Sequence, residues 1–471
     1  MTADVMWPAF ARRRLRWLSL KPFDSSTPEG RAAERHRRAT LTAVASVLAK
    51  LVSVGTALIT IPLTLHYLGV ERFGMWMTIS SLVALLAFAD FGIANGVLNV
   101  VAAAHGRDDA AGVRRAIASG LFILGVSSAM LLALFGLAYP FIEWPSVFNV
   151  HSPQARAEAG PAIAAFVVCY AVTIPLVVVQ RAQMGLQQGF LASLWQCAGS
   201  LCALVAVLLA IGLQAGLPWL VLALTGAPLL AALLNTLYFF GVAQPGLRPN
   251  WASVSRLVCR AVAGTGALFF VLQLTAAVTY SSDGFVIAQL LGAPAVAEYA
   301  VPEKMFALLS IAVAMALGPL WPAYGEAIAR GDVEWVSRTV RKSLLIATTL
   351  TAAGASILVV GGPWIIRLWI GDGVLVSHGV LVALACWKTI EAAGVAVAMY
   401  LNAANVVLMQ VIVSVVTCVV AFTLKLWLVP LVGVAGAVWA TAMAYLLFAG
   451  VPYAIYLHRH RHSSRAKGAI R

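Results

Sequence analysis

Leu68-Gly69 closes an apolar run, and after a further apolar segment the chain reads Ala104-His105-Gly106-Arg107-Asp108 before Arg114-Arg115. About 224 residues later the same order returns. Leu291-Gly292 closes an apolar run, another apolar segment follows, and Ala329-Arg330-Gly331-Asp332 precedes Arg338 and Arg341-Lys342. The repeat is set in very apolar sequence: 61% of the 471 residues are hydrophobic and 11% are charged. A soluble domain carries roughly 25% charged residues. The chain therefore reads as a polytopic membrane protein built as two similar halves.

About twenty apolar residues cross a bilayer. That measure gives twelve helices, near 41–66, 74–100, 116–140, 160–180, 190–212, 217–241, 261–291, 297–323, 344–363, 377–401, 406–428 and 431–457. The division that follows is a basic tail at 1–40, a six-helix bundle at 41–241, a linker at 242–260, a second bundle at 261–457 and a basic tail at 458–471. An even number of spans puts both termini on one side. Loops on that side carry Arg107, Arg114, Arg115, Arg181, Arg248, Arg256, Arg260, Arg330, Arg338, Arg341 and Lys342. Loops on the other side carry only Arg72, Arg156 and Arg367. The positive-inside rule makes the first side cytoplasmic. The expected location is the bacterial cytoplasmic (inner) membrane with both termini inside.

The net charge of +14 is concentrated in the tails, at Arg12-Arg13-Arg14, Arg16, Lys21, Arg31, Arg35 and Arg37-Arg38, and at Arg459, Arg461, Arg465, Lys467 and Arg471. Such clusters set topology and touch anionic lipid head groups; nucleic acid is not the expected partner. The first long apolar run begins near Leu41 without a cleavage site after it, and reads as a transmembrane helix. Six cysteines show no metal spacing, and His458, His460 and His462 alternate with arginine residues, so no metal is expected. No phosphate-cradling loop is present, which excludes a primary ATP-driven pump for this chain alone. The longest external loop, Glu143 to Gly160, is too short for membrane glycosyltransferase or polymerase chemistry. No catalytic residue and no cofactor are expected. Two similar halves of about six helices are the pattern of a secondary transporter.

Within the spans stand four lysines (Lys50, Lys304, Lys388, Lys425) and four acids (Asp90, Asp283, Glu303, Glu391). Each costs at least about 2.5–3.5 kcal/mol to insert, so each is a functional candidate. Depth follows from the rise of about 1.5 Å per residue. Lys50 and Asp90 both fall roughly 14–15 Å above the cytoplasmic ends of their helices, and Asp283 and Lys304 roughly 11–12 Å from the external ends. These pairs are expected to meet, and exchange of Asp283 with Lys304 to preserve folding. Lys388 and Glu391, at i and i+3, share a face. Lys425 lies near enough to a helix end to snorkel. Ser281-Ser282-Asp283-Gly284 is the expected break in an over-long seventh helix.

Residues 61–106 contain Ile61-Pro62-Leu63, Tyr67-Leu68-Gly69-Val70-Glu71-Arg72-Phe73-Gly74 and Asp90-Phe91-Gly92-Ile93-Ala94-Asn95-Gly96. The second half has Glu298-Tyr299, Pro319-Leu320-Trp321-Pro322-Ala323-Tyr324, Trp335, Leu368-Trp369-Ile370-Gly371 and Leu401-Asn402-Ala403. In order and spacing these motifs resemble the polysaccharide transporter (Wzx-type) flippase family of the multidrug/oligosaccharidyl-lipid/polysaccharide exporter (MOP) superfamily. The resemblance implies an all-α integral membrane protein with about 12 transmembrane helices, in two pseudo-symmetric six-helix bundles around a central cavity that opens to either side in turn. The implied substrate is an undecaprenyl-diphosphate-linked oligosaccharide, handed on to polysaccharide polymerase and export machinery by a monomeric transporter. A diphosphate needs cations. Lys50, Arg72, Lys304 and Lys388 are the expected substrate-binding residues. Asp90, Asp283, Glu303 and Glu391 are the expected gating or ion-coupling residues. The spans hold as many acids as bases, so an anion-selective cavity also needs Arg72, His66 or Arg181. The rival reading is a proton- or sodium-coupled multidrug or metabolite antiporter of the same superfamily, working through Asp90, Asp283 or Glu391. The polar loops after helices 2 and 8 favour the glycan branch.

Overall fold

The structure is a computed structural model that describes residues 23–24, 27–86, 90–148, 150–370 and 377–458. Arg12 to Lys21 of the first tail, Gly371, and all residues of the second tail from Arg459 on lie outside the described residues. The described residues form helices and turns with no strand. Eleven of the helices are long and apolar enough to cross a membrane, and one shorter apolar helix spans Ile93–Gly106. With that helix as half of an interrupted span, the chain is an all-α multi-pass membrane protein of about twelve helices. It divides into two compact units, Met1–Ala267 and Leu268–Arg471.

In the first unit, α1 (Pro28–Leu86) is two helices meeting at Gly69, whose φ of 73° and ψ of 170° suit a residue without Cβ. Its start is specified locally. Thr27 Oγ1 accepts from the Gly30 amide at 3.1 Å, Pro28 takes the first helical position and Glu29 sits in the first turn. The helix thus begins well before the apolar run. Then come α2 (Ile93–Gly106), α3 (Ala110–Ala138), the short α4 (Trp144–Val147), α5 (Pro153–Gly185), α6 (Gly189–Gly212) and α7 (Leu217–Tyr238). α8 (Arg256–Leu291) begins here and runs on into the second unit.

The second expected span, 74–100, is not one helix. Phe91 and Gly92 take left-handed φ values of 48° and 69°, and Asp90 Oδ1 accepts from the Gly92 amide at 2.9 Å. Asp90 therefore starts a turn instead of projecting from mid-helix. The glycines after it allow close approach. A Cβ on Gly96 would lie 2.5 Å from the Val262 carbonyl oxygen, and one on Gly266 would lie 2.9 Å from Ile93 Cα. Small residues let membrane helices approach to backbone contact, and here they dock α2 on the first part of α8.

Pro175 lies inside α5 and has no N–H for the carbonyl of Ala171, four residues earlier. The buried Ser128 hydroxyl of α3 donates to that carbonyl instead, at 2.6 Å. Ser128→Ala is expected to orphan the carbonyl and cost about 1–3 kcal/mol, read as a lower thermal midpoint of the purified protein. Nearby, Gln183 and Asn235 exchange two amide hydrogen bonds of 2.8 and 3.0 Å between α5 and α7.

The second unit holds the rest of α8 with α9 (Ala293–Leu317), α10 (Leu320–Ala329), α11 (Val333–Ile370), α12 (His378–Ala403), α13 (Val407–Val432) and α14 (Ala435–Tyr445). α8 runs through Ser281-Ser282-Asp283-Gly284 without the expected break. The Ser282 hydroxyl turns back onto the Thr279 carbonyl at 3.1 Å, so its polar group is satisfied inside the helix.

The internal repeat is visible in the backbone of each unit. Gly292, like Gly69, has positive φ and extended ψ, 88° and 166°. In the first unit the amides of Asp108, Asp109 and Val113 donate to the carbonyls of His105, Ala104 and Asp109. In the second, those of Gly331, Asp332 and Val336 donate to Ile328, Ala327 and Asp332. Asp109 and Asp332 then cap α3 and α11 through Gly112 and Trp335. The equivalence is Asp108 with Gly331 and Asp109 with Asp332. What repeats is a left-handed residue (φ 56° and 73°) followed by a capping aspartate.

A second shared device holds the far ends. Glu71 Oε1 accepts from the amides of His151 and Ser152, and Glu298 Oε1 from the amide of Ser377 at 3.3 Å. Ser152 and Ser377 are the N-caps of α5 and α12. Hydrogen bonds from the Ser152 hydroxyl and from the two amides hold the Glu71 carboxyl down to about 2. A depressed carboxylate contributes stability in full above its ordinary value and loses it as pH falls through the folded one. Amide exchange protection at His151 and Ser152 is expected to persist at pH 5, to fall only as pH approaches about 2, and to be lost at neutral pH in Glu71→Ala.

Candidate functional site

In the first unit the three expected site residues do not gather. Lys50 is exposed on the stripe of α1 that includes Val47, Leu51, Val54 and Leu58. The opposite face of α1 carries the buried Ala49 and packs on α6, where Ser46 and Ser193 share a 3.0 Å hydrogen bond. Among the described residues Lys50 has no carboxylate within ion-pair distance, so its expected pairing with Asp90 is not made. Arg181 and Tyr170 of α5 lie within electrostatic reach of Asp90. Arg72 lies 3.6 Å from Glu158 and donates to the Leu68 carbonyl at 3.0 Å, which fixes it beside the Gly69 corner.

The second unit does assemble charge. Asp283 Oδ1 meets Lys425 Nζ at 2.6 Å, and Oδ2 accepts from the Tyr299 hydroxyl at 2.9 Å. Lys425 also donates to the Thr279 carbonyl at 2.6 Å and the Ser282 hydroxyl at 3.0 Å. It is fully buried, and Asp283 is 5% exposed. Both sequence expectations for these residues are corrected: Lys425 does not snorkel, and Asp283 pairs with it instead of Lys304. The cause is rotation about α9. Tyr299 and the buried Pro302 and Phe306 turn inward, while Lys304 shares the outward stripe of Leu308 and Ile311. Lys304 has no carboxylate within ion-pair distance among the described residues.

Beside this pair, Lys388 Nζ lies 3.0 Å from Glu391 Oε2, which also accepts from the Ser310 hydroxyl at 2.8 Å. Lys388 is buried and acts electrostatically on Asp283. Glu303 is partly buried, within electrostatic reach of Tyr299. Tyr280, Trp387 and Tyr445 pack alongside in tilted and edge-to-face contacts, with ring centroids 5.8 and 5.5 Å apart. The result is a charge-neutral network of two lysines and two acids, closed by hydroxyls.

Lys425 is the site residue that sequence reasoning missed, and a signal for it exists. It stands seven residues before the end of α13, and Asp283 eight before the end of α8. At about 1.5 Å per residue the two lie at nearly equal depth. A cavity of about 380 Å³ opens elsewhere in the first unit, among Arg38, His105, Asp108, Gln188 and Gln244. No expected site residue lines it.

The model of the family described as polysaccharide biosynthesis protein matches residues 42–327, more than half of the chain. The chain belongs to this family. The fold is that of the MOP superfamily. An outward-facing multidrug resistance MATE family transporter of that superfamily superposes with a TM-score of 0.77 at 15% identity, over 91% of this chain and 96% of that one. A MOP superfamily transporter from Pyrococcus furiosus gives 0.75 at 12% identity, over 91% and 96%. A Vibrio cholerae MATE transporter gives 0.75 at 12%, over 92% and 98%. A comparison with curated protein sequences finds no match. The polysaccharide family match accords with the resemblance carried by the motifs, and the fold is the one these MOP superfamily structures share. This polysaccharide-family member has the fold of membrane transporters.

Proposed function

We propose that this transporter flips undecaprenyl-diphosphate-linked oligosaccharide across the bacterial cytoplasmic membrane by alternating access, for exopolysaccharide, capsule or O-antigen assembly. The observation that carries this reading is the polysaccharide biosynthesis family match over residues 42–327 on an exporter fold. Two features of the chain support it. Lys50 and Lys304 are exposed cations on apolar helices with no carboxylate partner among the described residues, which leaves each ammonium for an anionic ligand such as a diphosphate. Asp283 and Glu391 are already engaged by Lys425 and Lys388, which speaks against their serving as open cation sites in a coupled antiporter. The excess of arginine in one set of loops supports a topology with both termini in the cytoplasm. The glycan lipid is the partner, the protein works as a monomer, and polymerase and export machinery act after it. A strain lacking the gene is expected to accumulate lipid-linked oligosaccharide whose glycan faces the cytoplasm, detected by protection from an impermeant glycosidase in intact spheroplasts. Normal exposure of that glycan on the outer leaflet overturns the reading.

A further inference from the structure

The Lys425 ammonium sits among oxygens: the Asp283 carboxylate at 2.6 Å, the Thr279 carbonyl at 2.6 Å and the Ser282 hydroxyl at 3.0 Å. Ser282 donates its own proton to Thr279, so its lone pair is free to face the ammonium. Tyr299 binds the outer carboxylate oxygen at 2.9 Å and fixes its orientation. One carboxylate, one backbone carbonyl and one hydroxyl are the donors that hard cations take. Lysine side chains in membranes ordinarily extend to the interface, yet this one is fully buried. Three of the oxygen donors come from one helical turn of α8, and the cation reaches them from α13.

We propose that Lys425 is a tethered cation filling an oxygen-lined monovalent-cation site, so that the second unit carries its own counter-ion and is indifferent to alkali ions. The ammonium supplies the single positive charge that Na+ would supply. It cannot dissociate, so Asp283 is neutralised at every external sodium concentration. Shortening the side chain opens the same oxygens to Na+. The inference concerns the unit's own chemistry and does not depend on what the protein transports.

The test is thermal unfolding of the purified full-length protein in detergent, with NaCl replaced by N-methylglucamine chloride at constant ionic strength. A cation that binds only the folded state raises the midpoint by mass action. The natural protein is expected to melt at the same temperature in both salts. Lys425→Ala is expected to melt lower in N-methylglucamine and to regain about half or more of the loss in saturating NaCl. Asp283→Asn combined with Lys425→Ala is expected to lose that response. Lys425→Ser, which adds a hydroxyl to the vacated space, guards against a fold too damaged to read and is expected to respond at least as strongly. Sodium stabilising the natural protein as much as the variants overturns the proposal. So does an absence of response to Li+, Na+ and K+ in both single variants, or an equal response in the double variant. Failure of both single variants to fold even when prepared in NaCl also counts against it.

Discussion

Lys50→Ala and Lys304→Ala are each expected to cut glycan export roughly 10- to 150-fold while leaving the protein in the membrane at normal level. The size follows from the loss of one hydrogen bond to a charged group, about 1.5–3 kcal/mol. The stability half of the expectation follows from position. Each lysine projects from the outward stripe of its helix, α1 or α9, and neither holds a carboxylate partner among the described residues. Removing an unpaired cation from an apolar helix lowers an insertion cost instead of breaking a bond. The conservative variants separate charge from shape: Lys50→Arg and Lys304→Arg keep the cation and are expected to retain most export. Surface polysaccharide and membrane protein level, measured together, decide the matter. Full export by both alanine variants sinks the assignment of these lysines to an anionic head group.

These two lysines also show how far the sequence could be read. Their helices were legible because about twenty consecutive apolar residues carry an unmistakable signal. Their partners were not, because depth arithmetic gives height along a helix and no direction around it. Lys304 and Asp283 match in height, but Tyr299, Pro302 and Phe306 take the inward face of α9 and turn Lys304 away. A different limit applies at Asp90. The stretch from Gly74 to Val100 is apolar enough to read as a single helix, and among the described residues the aspartate capping its own turn, with the left-handed Phe91 and Gly92, divides it. The repeat was legible as a pattern of stretches, but the residue that takes the left-handed turn in each half was not. Aspartate can occupy the left-handed region that glycine favours, and Asp108 does so where the second half uses Gly331.

Asp283→Ala is expected to destabilise the protein by about 3–5 kcal/mol, the cost of stranding one member of a buried ion pair. Lys425 would keep its bonds to Thr279 and Ser282 but lose the carboxylate that neutralises its ammonium. Exchanging Asp283 and Lys304, which depth alone suggested would be tolerated, is expected to be worse still. Asp283→Lys places a second ammonium against Lys425, and Lys304→Asp sends the compensating carboxylate to the outward face of α9. The pair itself need not be stabilising overall, because desolvation opposes its attraction. The combination Asp283→Leu with Lys425→Met should therefore recover most of what either single change loses. Thermal midpoints of the four proteins, read as a double-mutant cycle, test this. Additive losses in the double variant would show that the two side chains act independently. Recovery would show that the charges matter to each other, and that their retention in this apolar setting serves something other than holding the helices together.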